Sequence, residues 1–125
     1  MVDIDHFKSV NDTYGHVVGD QVIMRMTHLI RNRLRRVDYV GRYGGEEFAV
    51  VMPNTDAAAA KEVMDKLREA AQELEHTSDK IAFHVTFSCG IATYPQFKSV
   101  LEIAEAADDA LYKAKHAGRN QVMTT

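Results

Sequence analysis

The segment Arg42–Val51, RYGGEEFAVV, places a glycine pair between two apolar, aromatic-rich runs. A Gly-Gly pair tolerates the positive φ that a two-residue hairpin loop requires, so the segment and its flanks are predicted to form two strands joined by a tight glycine turn. Two carboxylates, Glu46 and Glu47, stand side by side where the second strand begins. Such a pair is usually a solvated turn decoration, unless the sheet uses it for chemistry.

The chain before this hairpin is predicted to form one strand and two helical segments. MVDI is a short β-prone run, and Asp5 is expected to cap a short helix that begins near His6. Turn formers in NDTYGH then interrupt the helix. From Val17 to about Val37, apolar residues recur at helical spacing with arginines on the other face, which predicts an amphipathic helix.

The chain after the hairpin is predicted to add two helices and several strands. A helix is expected from Asp56 to about Glu75. Its buried stripe is expected to contain Val63, Leu67, Ala70 and Leu74. HTSDK is expected to be a polar connector, and IAFHVTFSCGIATYP to hold two strands or one strand bent at Gly90. A capping box at Ser99 opens the last helix, Gly118 closes it, and a final strand is expected around residues 121–123.

Hairpins mixed with crossover helices predict an α+β fold, with one mixed, largely antiparallel sheet flanked by helices. With 125 residues and 46% hydrophobic side chains, residues 1–125 are expected to form one domain. The net charge of −3 argues against a nucleic-acid partner. No apolar run is long enough to span a bilayer, so a cytoplasmic location without direct membrane contact is expected. Cys89, the only cysteine, is expected to be a buried, unreactive thiol.

Four polar clusters could carry chemistry, and they begin at Asp3, Asn11, Gly44 and Lys113. Carboxylates at the ends of adjacent strands suit Mg²⁺, whereas no Cys/His pair has the spacing of a zinc site. Lys115 and Arg119 could reach phosphate oxygens. Each cluster alone is more often a solvated turn or a charge that complements a helix dipole. Together they are what metal-assisted phosphoryl or nucleotidyl transfer needs.

The segments DIDHFKSVNDTYGHVVGD, RVDYVGRYGGEEF, VTFSCGIATYP and ADDALYKAKHAGRN resemble the successive signatures of the GGDEF family of diguanylate cyclases, here in a GGEEF variant. The resemblance covers essentially the whole chain. It implies the ferredoxin-like palm fold shared by nucleic-acid polymerases and nucleotidyl cyclases. It also implies condensation of two GTP molecules into cyclic di-GMP with release of two pyrophosphates, Mg²⁺ or Mn²⁺ as cofactor, and a homodimer in which two domains face each other.

The resemblance assigns metal binding to Asp3, the Ile4 carbonyl and Glu46. Glu46, the third residue of the GGEEF signature, would also act as the base near the 3′-hydroxyl, and Glu47 would be the adjacent acidic support of the metal site. Because successive strand residues point to opposite faces, the two glutamates are not expected to have identical roles unless the turn twists them together.

The resemblance also assigns the contacts to the triphosphate. The backbone amides near His6 and Phe7 would open a helix N-terminus toward phosphate. Lys8 would complete this contact and join Glu46 among the catalytic residues. Lys115 and Arg119 would approach the triphosphate from the other side.

Guanine selection would fall to Asn11 and Asp20. A carboxylate at Asp20 can accept from the N1–H and the exocyclic amino group of guanine, an edge that adenine does not present. His16 is expected to approach the ribose. Without the resemblance, Asn11 is equally a turn residue, Asp20 a helix-start carboxylate and His16 a side chain packed against the loop.

Arg35 and Asp38, five residues before GGEEF, match the RxxD site at which family members bind their own product. Some members add an arginine from the following helix, and the matching position here is Lys66, which cannot bind bidentately. Because Arg35 and Asp38 match the RxxD site, product inhibition at these residues is expected. The alternative for this four-residue pattern is a solvated helix end with a surface ion pair.

The family usually carries a helix with a DxLTGLxNR-like segment upstream, which residues 1–125 lack, and an upstream sensory domain is expected in the full protein. The leading hypothesis is an active diguanylate cyclase. The rival is a catalytically silent GGDEF domain that binds GTP or cyclic di-GMP as a regulatory module. A cyclase with another nucleotide preference is a third hypothesis, against which Asp20 weighs.

Overall fold

A computed structural model describes residues 1–125 as seven strands and four helices. In chain order, these are β1 (Val2–Ile4), α1 (Phe7–Tyr14), α2 (His16–Arg33), β2 (Tyr39–Gly44), β3 (Glu47–Val51), α3 (Ala57–Glu73), β4 (Glu75–Ser78), β5 (Ile81–His84), β6 (Phe87–Ile91), α4 (Val100–His116) and β7 (Val122–Thr124).

Five strands form the main sheet in the order β2-β3-β1-β6-β7. Only the β6–β7 pair is parallel, and the pairs β2–β3, β3–β1 and β1–β6 are antiparallel. The predicted mixed, largely antiparallel sheet is therefore confirmed. All three residues of β1 are buried, as expected for a strand at the centre of a sheet.

Helices cover both faces of this sheet. On one face, Val2, Phe48 and Phe87 belong to a single apolar core with buried residues of α2 and α3. On the other face, α4 lies directly on Gly90 of β6, because a Cβ atom there would be 2.1 Å from the Ala107 carbonyl oxygen. This close approach brings the C-terminal end of α4 to the end of β1.

The glycine hairpin forms, but with a different loop from the predicted one. Gly44 pairs with Glu47, so the two loop residues are Gly45, at φ 41°, and Glu46. A register irregularity between Arg42 and Gly44 shifts the turn by one residue. Glu46 therefore belongs to the turn and Glu47 to the strand.

Two predicted helices are confirmed with corrections. Helix α2 ends at Arg33 instead of near Val37, because Leu34 has extended dihedrals. Helix α3 has the predicted position, but the predicted buried stripe shares only Leu67 with the observed one. The buried residues of α3 are Ala60, Met64, Leu67 and Ala71. The alanine-rich first turns left the phase of the stripe undefined.

The segment predicted as a polar connector instead contains the end of strand β4 and a turn at residues 79–80, and β4 pairs with β5 in a separate two-stranded sheet. The following apolar run forms two strands, β5 and β6, which confirms the first of the two predicted alternatives, and Gly90 lies within β6. The capping box at Ser99 is present, and Gly118, at φ 117°, directly follows the C-cap of α4. None of the four helices is both long and apolar enough to cross a membrane.

Candidate active site

The carboxylates of the hairpin lie beside the N-terminal strand. Asp3 of β1 is directly opposite Glu47 of β3, and the Ile4 amide donates a 3.2 Å hydrogen bond to the Glu46 carbonyl. Asp3 is 4% exposed, whereas Glu46 and Glu47 are partly buried. Strand pairing therefore gathers three carboxylates where β1 ends.

Lys115 adds a cation to this cluster from the last turn of α4. Its Nζ donates a hydrogen bond to Oδ2 of Asp3. The Asp3 side chain is 6% exposed and the Lys115 side chain is 30% exposed. A charge-assisted bond in such a partly dry setting is stronger than one on an open surface.

Lys115 does not compensate for all of the negative charge. Burial raises the pKa of Asp3 above its ordinary value; the bond from Lys115 opposes the rise, and the charges of Glu46 and Asp5 add to it. Burial and the charge of Asp3 also raise the pKa of Glu47. A second cation bound here would stabilise the ionised carboxylates.

The donor set fits Mg²⁺ that arrives with a phosphate ligand. No three carboxylate, imidazole or thiol side chains converge closely enough to enclose a metal ion unaided. Proteins usually hold Mg²⁺ with one or two carboxylates, and substrate phosphates complete the coordination. Asp3 and a hairpin glutamate would supply those carboxylates.

Asp5, the second acid of the DID segment, has a structural role that differs from its prediction. It does not cap α1, whose N-cap is His6 with no side-chain bond. Asp5 is 4% exposed and accepts hydrogen bonds from Thr86 Oγ1 at 2.7 Å, Ser88 Oγ at 2.7 Å and the Asn120 amide at 3.0 Å. It ties β1, β6 and the loop after α4 together.

Asn120 is a second residue that sequence reasoning missed. Arg119 and Asn120 are both left-handed, at φ 64° and 47°, and the Arg119 amide bonds to the Ala114 carbonyl at 3.0 Å. The Asn120 side chain accepts from Arg68 and donates to Gln72, both at 3.1 Å. Two helices and β1 thus fix the loop that carries Arg119. The one sequence signal for the role of Asn120 was the asparagine in the GRN segment, since asparagine tolerates the left-handed backbone conformation.

The N-terminus of α1 opens close to the end of β1. His6 adopts a left-handed conformation, at φ 55°, and the helix begins at Phe7. The first-turn amides lack intrahelical partners and favour an anion. Lys8 is 91% exposed, and its Nζ contacts Asp12 at 2.8 Å, which raises the pKa of Lys8. Lys8 thus lies in solvent, apart from the carboxylate cluster.

The predicted guanine contacts flank the junction of α1 and α2. Asn11 is partly buried on α1, whereas His16 and Asp20 are exposed on the first turns of α2. The Oδ1 atom of Asn11 is buried without a hydrogen-bond partner. A buried, unpartnered carbonyl is unusual and requires an explanation.

The chain has relatives among known proteins, both in sequence and in fold. Residues 1–121 match the family described as "Diguanylate cyclase, GGDEF domain". The chain belongs to the GGDEF family. Diguanylate cyclase A of Treponema denticola is 43% identical over 123 residues, which cover 98% of this chain and 33% of that protein.

Two solved structures extend the similarity to the fold. The diguanylate cyclase SiaD of Pseudomonas aeruginosa, crystallised with its activator SiaC, matches 99% of this chain and 48% of that one, at a TM-score of 0.94 and 34% identity. The GGDEF domain of DgcB from Caulobacter crescentus, in complex with c-di-GMP, matches 98% and 74%, at 0.91 and 36%. The predicted palm-like fold is confirmed. The chain spans a third or less of the first curated relatives it matches.

In this GGDEF domain, Arg35 and Asp38 form a closed turn after α2. Asp38 is 3% exposed and accepts from the Arg35 amide at 2.8 Å, Nε at 3.1 Å and Nη2 at 2.8 Å. Nη2 also reaches the Pro53 carbonyl and Thr55 Oγ1, which leaves Nη1 without a partner. The bond from Arg35 lowers the pKa of Asp38. Arg35 and Asp38 thus form a structural turn, and Lys66, paired with Glu62, does not bond to it.

Two further buried groups lie outside these clusters. Cys89 is 1% exposed, and burial raises the pKa of its thiol to about 11, which confirms the predicted unreactive cysteine. His76 of β4 is 2% exposed, and neither ring nitrogen has a partner. Its ring lies 5.5 Å from that of Phe83, which stacks on Tyr14 at 4.0 Å. Burial lowers the pKa of His76 to about 4.

Proposed function

We propose that this GGDEF domain is a diguanylate cyclase that condenses two GTP molecules into cyclic di-GMP. The observation that carries the proposal is the carboxylate cluster of Asp3, Glu46 and Glu47 beside Lys115, with raised pKa values at Asp3 and Glu47. Perturbed carboxylates with a charged partner are typical of functional sites. The relatives named diguanylate cyclases support the same activity.

Asp3, the Ile4 carbonyl, Glu46 and Glu47 would hold a divalent cation, Mg²⁺ or Mn²⁺. Such a cation neutralises charge on the phosphates and orients them for displacement. Glu47, which lies opposite Asp3, is as well placed for this role as Glu46, which lies in the turn. Both glutamates therefore belong to the proposed metal site.

The triphosphate would lie between the N-terminus of α1 and the C-terminal end of α4. The amides near His6 and Phe7 would donate to its oxygens. Lys115 would move from Asp3 to phosphate, and Arg119 would bind as a fork from its fixed loop. Lys8, on an exposed turn of α1, would add a third cation once it leaves Asp12.

The base would bind between α1 and α2, with Asn11 and Asp20 in contact with guanine and His16 close to the ribose. A site with polar groups matched to guanine leaves them unpaired when adenine binds, which makes rejection of ATP efficient. The Asn11 side chain would contribute its Nδ2 donor to this contact, while its Oδ1 stays buried.

Each chain offers one such site, so catalysis would require a homodimer with two sites face to face. The 3′-oxygen of one GTP attacks the α-phosphorus of the other, the bond to the β-phosphate oxygen breaks, and pyrophosphate leaves. Glu46 would accept the 3′-hydroxyl proton. Two such steps close the cyclic product and release two pyrophosphates.

The activity is tested by incubating a dimeric sample with GTP and Mg²⁺ and separating the products by chromatography. Dimerisation can be enforced by a fused leucine zipper and checked by light scattering. We expect cyclic di-GMP from the wild type and none from Glu46→Gln. No product from the dimeric wild type would refute the proposal. Nucleotide binding without turnover would then favour the silent regulatory module, and turnover of ATP instead would favour a different nucleotide preference.

We also propose that product binds at Arg35 and Asp38 and inhibits the enzyme. The unpartnered Nη1 of Arg35 supports this assignment, because it can donate to a phosphate or guanine acceptor without breaking the turn. Titration with cyclic di-GMP should give weaker binding for Arg35→Lys than for the wild type. Equal affinities would exclude this site.

A further inference from the structure

Helices α1 and α2 meet where Gly19 faces Asn11. A Cβ atom at Gly19 would lie 1.9 Å from Oδ1 and 3.1 Å from Cγ of Asn11, and 3.2 Å from Cζ of Phe7. The Phe7 ring can yield by a few tenths of an ångström, but the Asn11 contact is far too short. No side chain therefore fits at Gly19 while Asn11 keeps its place.

Backbone freedom does not explain this glycine. Gly19 lies inside α2 and is buried, and glycine within a helix costs about 0.5–1 kcal/mol relative to alanine. The close approach of Asn11 is the one feature that requires it.

The Asn11 carboxamide lies with its oxygen toward Gly19. Oδ1 is buried against Gly19 without a hydrogen-bond partner, whereas Nδ2 is not buried in this way and makes no bond within the chain. The donor end of the amide therefore remains available. The next residue along α2 is Asp20, an exposed acceptor.

We propose that Gly19 is a positioning residue for guanine recognition, because it lets Asn11 lie against α2 with its Nδ2 donor directed to the base. The inference rests on the proposed nucleotide site and deepens it. A donor at Asn11 beside an acceptor at Asp20 matches the guanine edge, where the O6 acceptor adjoins the N1–H donor. Adenine presents the opposite order, a donor beside an acceptor.

A double-mutant cycle tests this role. The affinity for a GTP analogue with a methylene bridge between its α- and β-phosphates is measured with Mg²⁺ by calorimetry for the wild type, Asn11→Ala, Gly19→Ala and the double variant. We expect each single change to weaken binding about tenfold, the loss of one hydrogen bond. The double variant should also lose about tenfold, not a hundredfold, because both changes remove the same contact. The preference for the GTP analogue over the matching ATP analogue should fall equally in all three variants.

Thermal unfolding without nucleotide measures the steric contact between position 19 and Asn11 separately from nucleotide binding. Gly19→Ala should lower the Tm, and Asn11→Ala added to it should restore the Tm, because alanine removes both clashing atoms. Gly41→Ala is the matched control, since nothing lies within 4 Å of a Cβ atom there. It should change neither the affinity for the GTP analogue nor the Tm.

Wild-type affinity in Gly19→Ala, or additive losses in the double variant, would overturn the role of Gly19. If Gly19→Ala does not fold, the comparison of Asn11→Ala with the double variant decides, because weaker binding by the double variant would show that Gly19 acts without Asn11. A wild-type chain that binds no GTP analogue would refute the proposed function, and the recognition role with it, while the nucleotide-free Tm cycle would still report the contact.

Discussion

Two ion pairs in this domain have opposite electrostatic character. At the end of β1, Lys115 bonds to Asp3, yet burial holds the pKa of Asp3 above its ordinary value. In the turn after α2, Arg35 bonds to Asp38 and lowers the pKa of that carboxyl. Both aspartates are almost fully buried, so burial alone does not separate them.

The difference lies in the neighbours. Asp38 receives three bonds from Arg35 and has no acidic neighbour in contact, so its charge is fully compensated. Asp3 shares one lysine with Glu47, and the charge of Glu46 adds to the repulsion. A compensated carboxylate contributes to stability, whereas an uncompensated cluster favours an incoming cation. The Arg35–Asp38 pair therefore maintains the fold, and the carboxylate cluster around Asp3 is suited to ligand binding.

The largest expected effect is on activity. In a dimeric sample, Asp3→Asn and Glu46→Gln should each lower the rate of cyclic di-GMP formation below about one-hundredth of wild type, the scale for removal of a preorganised charge. Asp109→Asn, an exposed acid of α4, is the matched control and should keep wild-type activity. An Asp3→Asn variant with more than half of the wild-type rate would remove Asp3 from the site.

The second effect is on stability. Asp38→Asn should lower the free energy of unfolding by about 2 kcal/mol, because hydrogen bonds to a buried charge are lost. Urea denaturation measures the change. Glu62→Gln, which breaks the exposed pair with Lys66, should change stability by less than about 0.5 kcal/mol. Equal losses in the two variants would contradict the structural role of Asp38.

The third effect is a pH dependence from His76, a buried group whose ring nitrogens have no hydrogen-bond partner. Its pKa in the folded chain, about 4, is below the ordinary value of 6.5, so the unfolded chain binds the extra proton first. Stability is complete above pH 6.5 and falls toward pH 4, by up to about 1.4 kcal/mol per pH unit. His76→Phe should flatten the dependence, and His28→Gln, at an exposed position of α2, should retain it. An unchanged slope in His76→Phe would refute this assignment.

The smallest effect has the opposite sign. Glu47→Gln should raise the free energy of unfolding at pH 7 by less than about 1 kcal/mol, because it removes one of the repelling carboxylates. The same change should reduce activity, so stability and function would move in opposite directions. A destabilised Glu47→Gln would show that the cluster is a structural one.

Much of the fold and of the candidate site could be predicted from the sequence. Periodicity located the four helices and the strands of the main sheet but missed β4, and the motif placed Asp3, Glu46 and Lys115 in one group. The hairpin loop was wrong by one residue, because the irregularity at Arg42 and Gly44 depends on strand pairing, which the glycine pair does not encode.

Other features had no local signal. Asp5 and Asn120 are 115 positions apart, and their bond exists only because β1 and the end of α4 meet in the folded chain. His76 sits in a polar-looking segment, and its burial depends on the partner strand that brings Phe83 against it. Long-range pairing decides these contacts, which single-sequence patterns do not report.

The central claim is that the uncompensated carboxylates at the end of β1 bind a divalent cation together with a nucleotide. The most direct measurement is a titration with Mn²⁺, followed by electron paramagnetic resonance, in the presence of the methylene-bridged GTP analogue. We expect tight nucleotide-dependent binding in the wild type and in Asp38→Asn, and its loss in Asp3→Asn. Unchanged Mn²⁺ binding in Asp3→Asn would contradict the account.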